Sequence, residues 1–293
     1  MTRARPAPDP LVRVGPVNAV LRSGMALAGL AIIAVLIGVA LFAPLLAPYD
    51  PTVPSGPSLA SPSAAHLLGT SEIGADVLSG LIWGTRESLL VAVPAAALAV
   101  TVGAVVGTGA GMLGGRAGQV TARVLDGFLA LPMLPLIILL AAFAGQSPPV
   151  LAVIVALALW APTARILRAQ TLTLRQRGFL AVARGLGGGR GYLMRRHLVP
   201  ALAPVIVAAF VNATALAFML HASLAFLGIG DPTGVAWGMI INRALEQSGI
   251  YTGGGLTWLV LPAGTAIAVA VLGFSLLGVG LESATNPRWR RET

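Results

Sequence analysis

The chain of 293 residues contains no cysteine and no lysine, and only 10% of it is charged, against about a quarter in an ordinary soluble domain. Without cysteine, disulfides and thiolate metal sites are excluded and the redox compartment stays open. Without lysine there is no P-loop, because that cradle needs a lysine after its last glycine to reach the β and γ phosphates. The glycine-rich "GLGGGRG" at 185–191 is therefore discounted as a nucleotide site, and it follows no predicted strand. Aromatic residues make up 5% and scarcely interleave with the arginines. The net charge of +9 and pI near 11.6 thus argue for no nucleic-acid partner. No HExxH, GxSxG or paired-carboxylate arrangement points to a hydrolase. No cofactor or metal is expected on this chain.

What remains is mostly apolar: 56% hydrophobic residues and a mean hydropathy of +0.87. Residues 23–49, 88–115, 127–164, 197–230 and 247–281 carry no Asp, Glu or Arg, and each run exceeds the roughly 20 residues that a spanning helix needs. As one helix, the run 127–164 would be about 57 Å long, nearly twice the roughly 30 Å of a hydrocarbon core. It must fold back, and Gly145, Gln146, Ser147, Pro148 and Pro149 mark the break. The expectation is an all-α polytopic membrane protein with six transmembrane helices near 25–47, 88–114, 126–144, 150–168, 201–224 and 257–281. The first apolar stretch exceeds the 7 to 15 residues of a signal h-region, which favours a retained helix.

Placing the N-terminus in the cytoplasm puts Arg3, Arg5, Arg13, Arg22, Arg116, Arg123, the eight arginines from Arg165 to Arg196, and Arg288, Arg290 and Arg291 inside, leaving Arg86 and Arg243 outside. The positive-inside rule then sets both termini in the cytoplasm. The domains follow: a cytoplasmic tail at 1–24, a first span at 25–47, an extracytoplasmic linker and amphipathic helix at 48–87, a five-helix core at 88–281 with a cytoplasmic loop at 169–199, and a cytoplasmic tail at 282–293. The stretch "YDPTVPSGPSLASPSAA" (49–65) is too rich in Pro, Ser and Gly to bury a core and reads as an extended surface linker. After it, Val77, Leu78, Leu81 and Ile82 recur at helical spacing, which predicts an amphipathic helix along the outer interface before the second span.

The loop 169–199 divides into two helical pieces around its glycines. In the first, Leu172, Leu174, Phe179, Val182 and Leu186 share a rough face, with Arg175, Arg177 and Arg184 toward solvent. The second, "YLMRRHLV", runs to Pro200, which a helix start tolerates. The plainest use of such arginines is to enforce topology and touch anionic membrane lipid.

The stretch "FLAVARGLGGGRGYLMRRHLVP" (179–200) resembles the cytoplasmic "EAA" loop of ABC importer permeases, with Ala183, Arg184, Leu186, Gly187, Arg196, His197, Leu198 and Pro200 in register. Ala181 and Val182 stand where that family carries glutamate and alanine. "APLLAPYDP" (43–51), "HLLGTSEIGADVLSGLIWGTRESLL" (66–90), "RVLDGFLALP" (123–132), "SLAFLGIG" (223–230), "WGMI" (237–240) and "NPRW" (286–289) are similar to the second permease of dipeptide, oligopeptide and nickel importers. Ala75 replaces a usual arginine there, and His221 a usual acidic residue. The resemblance implies a type I importer permease fold without an ATPase site of its own. It also implies a homologous second permease, two ATPase subunits that bind ATP and Mg, and an extracytoplasmic solute-binding protein. The loop is then a coupling helix seated on an ATPase subunit, where Arg184, Arg190, Arg195, Arg196 and His197 can meet acidic groups.

Inside the spans, Asp126 is expected to pair with Arg123 one turn away, and His221 to hydrogen-bond a neighbouring helix. Asn212, Thr214, Ser223 and Ser275 can line a polar pathway or serve as interhelical glue. Gly103, Gly107 and Gly111, four apart, allow close helix contact within the chain or with a partner. Two other readings stand beside the importer: an ATP-independent secondary transporter or channel, which ordinarily places ionisable residues near the midplane, and a membrane scaffold or lipid-binding protein.

Overall fold

The computed structural model describes residues 23–247 and 255–285. The arginines before residue 23 and the "NPRW" segment lie outside the described residues. Among the described residues the regular secondary structure is helical, apart from one isolated bridge between Thr70 and Asp76. In chain order the helices are α1 (Gly24–Leu41), α2 (Ala43–Leu46), α3 (Val77–Leu113), α4 (Gly115–Leu129), α5 (Met133–Ala144), α6 (Pro148–Arg175), α7 (Gly178–Gly185), α8 (Arg190–Leu193), α9 (Val199–Phe226), α10 (Trp237–Leu245) and α11 (Leu261–Thr285). Single π-helical turns at Met194–Leu198 and Leu256–Val260 lead into α9 and α11.

Five stretches are long and apolar enough to cross a membrane: Gly24–Leu41, Val77–Leu113, Pro148–Arg175, Arg190–Phe226 and Leu256–Glu282. The sixth, expected as one helix over 126–144, is instead the pair α4 and α5, whose axes meet at 83°. Pro132 caps the second piece with extended backbone, and proline cannot donate the amide that would continue α4. The turn at Gly145, where φ is +97°, and the restart at Pro148 fall where the sequence placed the fold-back.

The bundle is organised around α3 and α6. A Cβ on Gly107 would strike the Ala164 carbonyl, one on Gly103 would lie 2.8 Å from the Thr163 side chain, and one on Gly111 would lie 2.6 Å from Thr171. The glycine stripe therefore joins two helices of the same chain. Arg175, expected in solvent, donates to the Gly111 carbonyl at 3.3 Å and ties the ends of both helices. Around this seam lie the small, buried residues Ala92, Ala95 and Ala99 of α3 and Val155 and Leu159 of α6, with Phe218 of α9 and Phe274 of α11 filling the larger gaps. Helix α1 packs on α11 through further small contacts, since a Cβ on Gly29 would lie 2.6 Å from the Gly273 carbonyl.

Two readings at the linker end are corrected. The interfacial helix and the second span are one continuous 37-residue helix, α3, about 55 Å long. The linker is not extended but folds back on itself. Ser55 and Gly56 N–H groups donate to the Gly74 carbonyl, the Ala60 N–H donates to Thr70 Oγ1, and His66 Nδ1 lies 3.0 Å from Asp76 Oδ1 with both residues buried. The other Asp76 oxygen accepts from the Ser79 N–H at 2.8 Å and its hydroxyl at 2.7 Å, so the carboxylate both caps α3 and holds the loop. Buried polar groups need such partners, and the Pro, Ser and Gly content supplies tight turns rather than length. At the surface of this end, the Thr233 hydroxyl and N–H beside Asp231 hold its carboxyl below the usual carboxylate range.

Asp76→Ala should release this strap. Losing a cap costs about 1 kcal/mol and orphaning a buried partner about 1 kcal/mol more, so limited proteolysis within 49–76 should accelerate roughly 30-fold. Unchanged cleavage would mean the strap is held elsewhere.

Candidate coupling site

The two pieces of the 169–199 loop are α7 and the helix that starts at Arg190. Helix α7 buries Leu180, which meets Met112 of α3 and Leu193, Leu198 and Leu202, with Leu174, Ala183, Met194 and Ile206 around them. This small core fastens the loop to the end of the bundle. The turn between the pieces is a Schellman motif: the Gly187 N–H donates to the Arg184 carbonyl and the Gly188 N–H to the Ala183 carbonyl, both at 3.0 Å. Gly187 sits at φ +86°, the left-handed conformation that ends helices and favours glycine. The close approach belongs to Gly188, where a Cβ would lie 2.6 Å from the Ala183 carbonyl; Gly187, Gly189 and Gly191 face open space.

Beyond the turn, α8, the π-helical turn and α9 run without a break from Arg190 to Phe226. Pro200 follows the π-helical turn at Met194–Leu198 after Val199, inside the continuous run and not at a free helix start as the sequence reading had it. The second piece of the loop is thus the rigid end of a spanning helix. Any displacement of α8 is carried into the bundle.

The outward side differs from the sequence reading in one respect. Phe179, Val182 and Leu186 do share a side of the chain, but it is uncovered, with Leu186 84% exposed, because Leu180 and Ala183 take the inward positions. Tyr192, Arg184, Arg190, Arg195 and Arg196 are also exposed. The His197 ring is half-buried, 5.5 Å from Tyr192 in an edge-on arrangement and 6.3 Å from Phe179. Gly191, Tyr192, Arg195 and Arg196 line an open depression of about 530 Å³. The surface therefore sets exposed apolar side chains beside arginines, a mixture that suits a protein contact with a polar rim. Of the residues singled out from sequence, Ala183, Arg184, Leu186, Gly187, Arg196 and His197 come together here, with Pro200 one turn behind.

The candidate pathway residues are distributed along α9 and α11. Asn212 donates to Glu282 Oε1 at 3.1 Å and packs against Gly278 of α11. Ser223 donates to the Met219 carbonyl of its own helix at 2.8 Å, and Thr214, fully buried, donates to Phe210 in the same way. Asn212 and Ser223 are about 16 Å apart along α9, and Ser275 lies half-buried on α11. Two expectations are overturned. Asp126 faces Arg165 of α6 at 3.9 Å rather than Arg123, because helix spacing alone does not see a neighbouring helix. His221 is buried and neither ring nitrogen has a hydrogen-bond partner among the described residues; Ala217, Phe218, Leu224 and Ala225 flank it on the buried side of α9 and offer no side-chain donor or acceptor.

Sequence reasoning missed the contacts that hold the linker end together. Glu87 Oε2 accepts from the Val235 N–H at 2.8 Å, Trp237 Nε1 donates to the Leu81 carbonyl at 3.0 Å, and Arg243 reaches the carbonyls of Pro232 and Gly234. Only Asp76 left a local signature, as an acidic residue at the start of an apolar-periodic helix.

Comparison with known proteins accounts for this arrangement. Residues 86–291 match the family described as binding-protein-dependent transport system inner membrane component, and residues 20–62 match the N-terminal TM domain of oligopeptide transport permease C. A protein of Brucella suis biovar 1 (strain 1330) named as a peptide permease is 34% identical over 274 residues, covering 92% of this chain and 89% of its own. The nickel transport system permease protein NikC of Escherichia coli (strain K12) is 36% identical over 263 residues, covering 88% and 92%. The dipeptide transport system permease protein DppC of Alkalihalophilus pseudofirmus is 33% identical over 275 residues, covering 92% and 88%. With a helical bundle of membrane-spanning length, a glycine-turned loop fused to a spanning helix and a family match over most of its length, the chain belongs to the inner-membrane components of binding-protein-dependent transport systems and is an ABC importer permease.

Proposed function

We propose that this permease forms half of a translocation pathway for di- or oligopeptides and that α7 and α8 are its coupling element. They rest on a separate ATPase subunit, so that closure of an ATPase pair shifts α9 and alternates access. The carrying observation is the unbroken helix from Arg190 to Phe226, with an uncovered apolar surface centred on Leu186. A rigid element transmits a displacement that a floppy linker would dissipate. The peptide assignment rests on relatives named for peptides and dipeptides and on the oligopeptide permease match. ATP and Mg are held by the two ATPase subunits, a homologous permease completes the pathway, and an extracytoplasmic binding protein delivers the solute. Both termini lie in the cytoplasm, which reporter fusions after residues 60 and 180 check: cytoplasmic activity at the first reverses the orientation.

The deciding experiment reconstitutes the chain with its second permease, ATPase subunits and binding protein in vesicles. Loaded binding protein should stimulate ATP hydrolysis, and Leu186→Glu should lower that stimulation at least 10-fold, within the usual range of allosteric coupling. Solute uptake by vesicles that lack the ATPase subunits would instead favour the ATP-independent transporter.

A further inference from the structure

Two helices of the bundle mark one edge of the hydrocarbon. Helices α1 and α11 meet their first charges at a common level: Arg22 directly precedes Ser23, which caps α1, Glu282 lies near the end of α11, and a Cβ on Gly280 would lie 2.5 Å from that of Ala26. Asn212 donates to Glu282, so α9 crosses this level there, and its neighbour Ala213 packs with Ala96 and Val100 of α3. Helix α6 runs beside α3 with Thr163 against Gly103, which puts Trp160 level with Val100. From Val100 to its end at Leu113, α3 continues for about 20 Å more. Helices α3, α4, α6 and α9 thus project past the edge, which is the cytoplasmic one on the orientation proposed above.

Where α4 and α6 cross this edge, two kinds of side chain stand uncovered in order of depth. At the edge itself Phe128 meets Trp160 edge-on at 4.9 Å, and Phe128 is 41% exposed. Aromatic rings favour this depth, between acyl chains and headgroups. Farther out, about 8 Å along α6 from Trp160, the Arg165 and Asp126 side chains are 65% and 63% exposed and only loosely paired at 3.9 Å. Arg123 is exposed one turn from Asp126, and Arg168, one turn from Arg165, has a buried Nε with no partner among the described residues. Three arginines against one aspartate leave the patch cationic, and the step of about 8 Å matches a headgroup layer about 5 to 8 Å thick.

Hydrocarbon alone suits the rings but not the charges, and a soluble anion suits the arginines but not the rings. A phospholipid with an anionic headgroup offers both in the same order along the membrane normal, and the guanidinium fork matches phosphate oxygens. We propose that this face of α4 and α6 is a binding site for an anionic phospholipid, its headgroup held by Arg123, Arg165 and Arg168 and its acyl chains against Phe128 and Trp160. The orientation fixes only which leaflet supplies the lipid.

The test places the full complex in phosphatidylcholine vesicles with a trace of photoactivatable phosphatidylglycerol or, in parallel, phosphatidylcholine bearing the same acyl diazirine, and identifies labelled peptides by mass spectrometry. The peptides holding Phe128 and Trp160 should label about 5-fold more strongly with phosphatidylglycerol, the effect of one arginine at an anionic surface. The peptide around Val35 of α1, 65% exposed, should label equally with both. Arg123→Gln with Arg165→Gln should bring the ratio at Phe128 and Trp160 to about one. On the unaltered chain, raising salt from about 0.1 M to about 1 M, which shortens the screening length from about 10 Å to about 3 Å, should lower the same ratio, so the proposal stays testable if the double variant fails to assemble. No labelling at Phe128 and Trp160 would show the face covered by the second permease, and equal labelling would show lipid contact without headgroup selection; either result overturns the proposal. Loss of the preference on adding soluble glycerol phosphate would make this a site for free phosphate esters and remove the lipid as its occupant. ATP-driven uptake by the same vesicles reports separately on coupling, so failure of the transport reading is distinguishable from failure of the lipid site.

Discussion

Gly187→Leu will abolish ATP-dependent uptake while the chain still inserts and still recruits its second permease. The backbone at Gly187 is left-handed, with φ +86°, a conformation that costs a side chain with a Cβ about 1–2 kcal/mol. No atom lies within 4 Å of the position, so the substitution acts through the backbone and not through a clash. The turn relieves itself by giving up the two bonds that close it, from Gly187 to Arg184 and from Gly188 to Ala183. Helix α7 then loses its fixed angle to the helix that begins at Arg190, and the apolar surface around Leu186 no longer faces a partner together with Arg195 and Arg196. Gly188→Val should reach the same end by a different route, because its Cβ would lie 2.6 Å from the Ala183 carbonyl. Gly189→Ala, with extended backbone and free space, is the matched control. The measurement is solute uptake alongside binding-protein-stimulated ATP hydrolysis in reconstituted vesicles. Wild-type transport by Gly187→Leu would remove the coupling role from this turn.

Gly107→Leu will destabilise the bundle strongly. A Cβ there would strike the Ala164 backbone, and backbone cannot step aside as the end of a side chain can. Helices α3 and α6 would have to separate along the whole stripe that Gly103 and Gly111 also form. Overpacking of this kind costs about 3 kcal/mol, enough to lower the apparent melting temperature of the detergent-solubilised protein by roughly 10 °C. Gly109, on the same helix with open space around it, should accept leucine with little change. Equal melting temperatures for the two variants would show that the α3–α6 seam is not close-packed.

The spans were legible because the bilayer imposes one rule on every residue: long stretches without charge must be helical and must cross. The fold-back at Gly145 to Pro149 followed from length alone, since 127–164 is too long for one crossing. The bend at Pro132 did not, because a single proline in an apolar run is compatible with a straight, kinked or broken helix, and only the neighbours decide among them. The same limit explains the linker. Its composition says that it builds no core of its own, but not that Asp76 of the following helix will draw His66 inward.

For the loop at 169–199, the glycines, the flanking arginines and Pro200 placed the turn and both helical pieces within a few residues. Which side of α7 is buried was not legible. Leu180 and Ala183 compete with Phe179, Val182 and Leu186 for the inward position, and the apolar pattern alone ranks the second set higher. The choice fell to the packing partners Met112, Leu193, Leu198 and Leu202, residues of α3 and of the run from Arg190 to Phe226. Asp126 shows the same dependence, as its own helix offers Arg123 while the neighbouring helix supplies Arg165.

The sequence by itself determined that this protein lives in a membrane, which stretches are long and apolar enough to cross it, where its arginines cluster and where its loop turns, since each follows from local composition and chain geometry. Tertiary structure decided which glycines are in contact, which face of the loop is left uncovered, and that α4 and α5 meet at 83° where one helix was expected. Those outcomes depend on atoms brought close from distant parts of the chain, where steric contact and hydrogen bonding act within a few ångströms and leave no local signature.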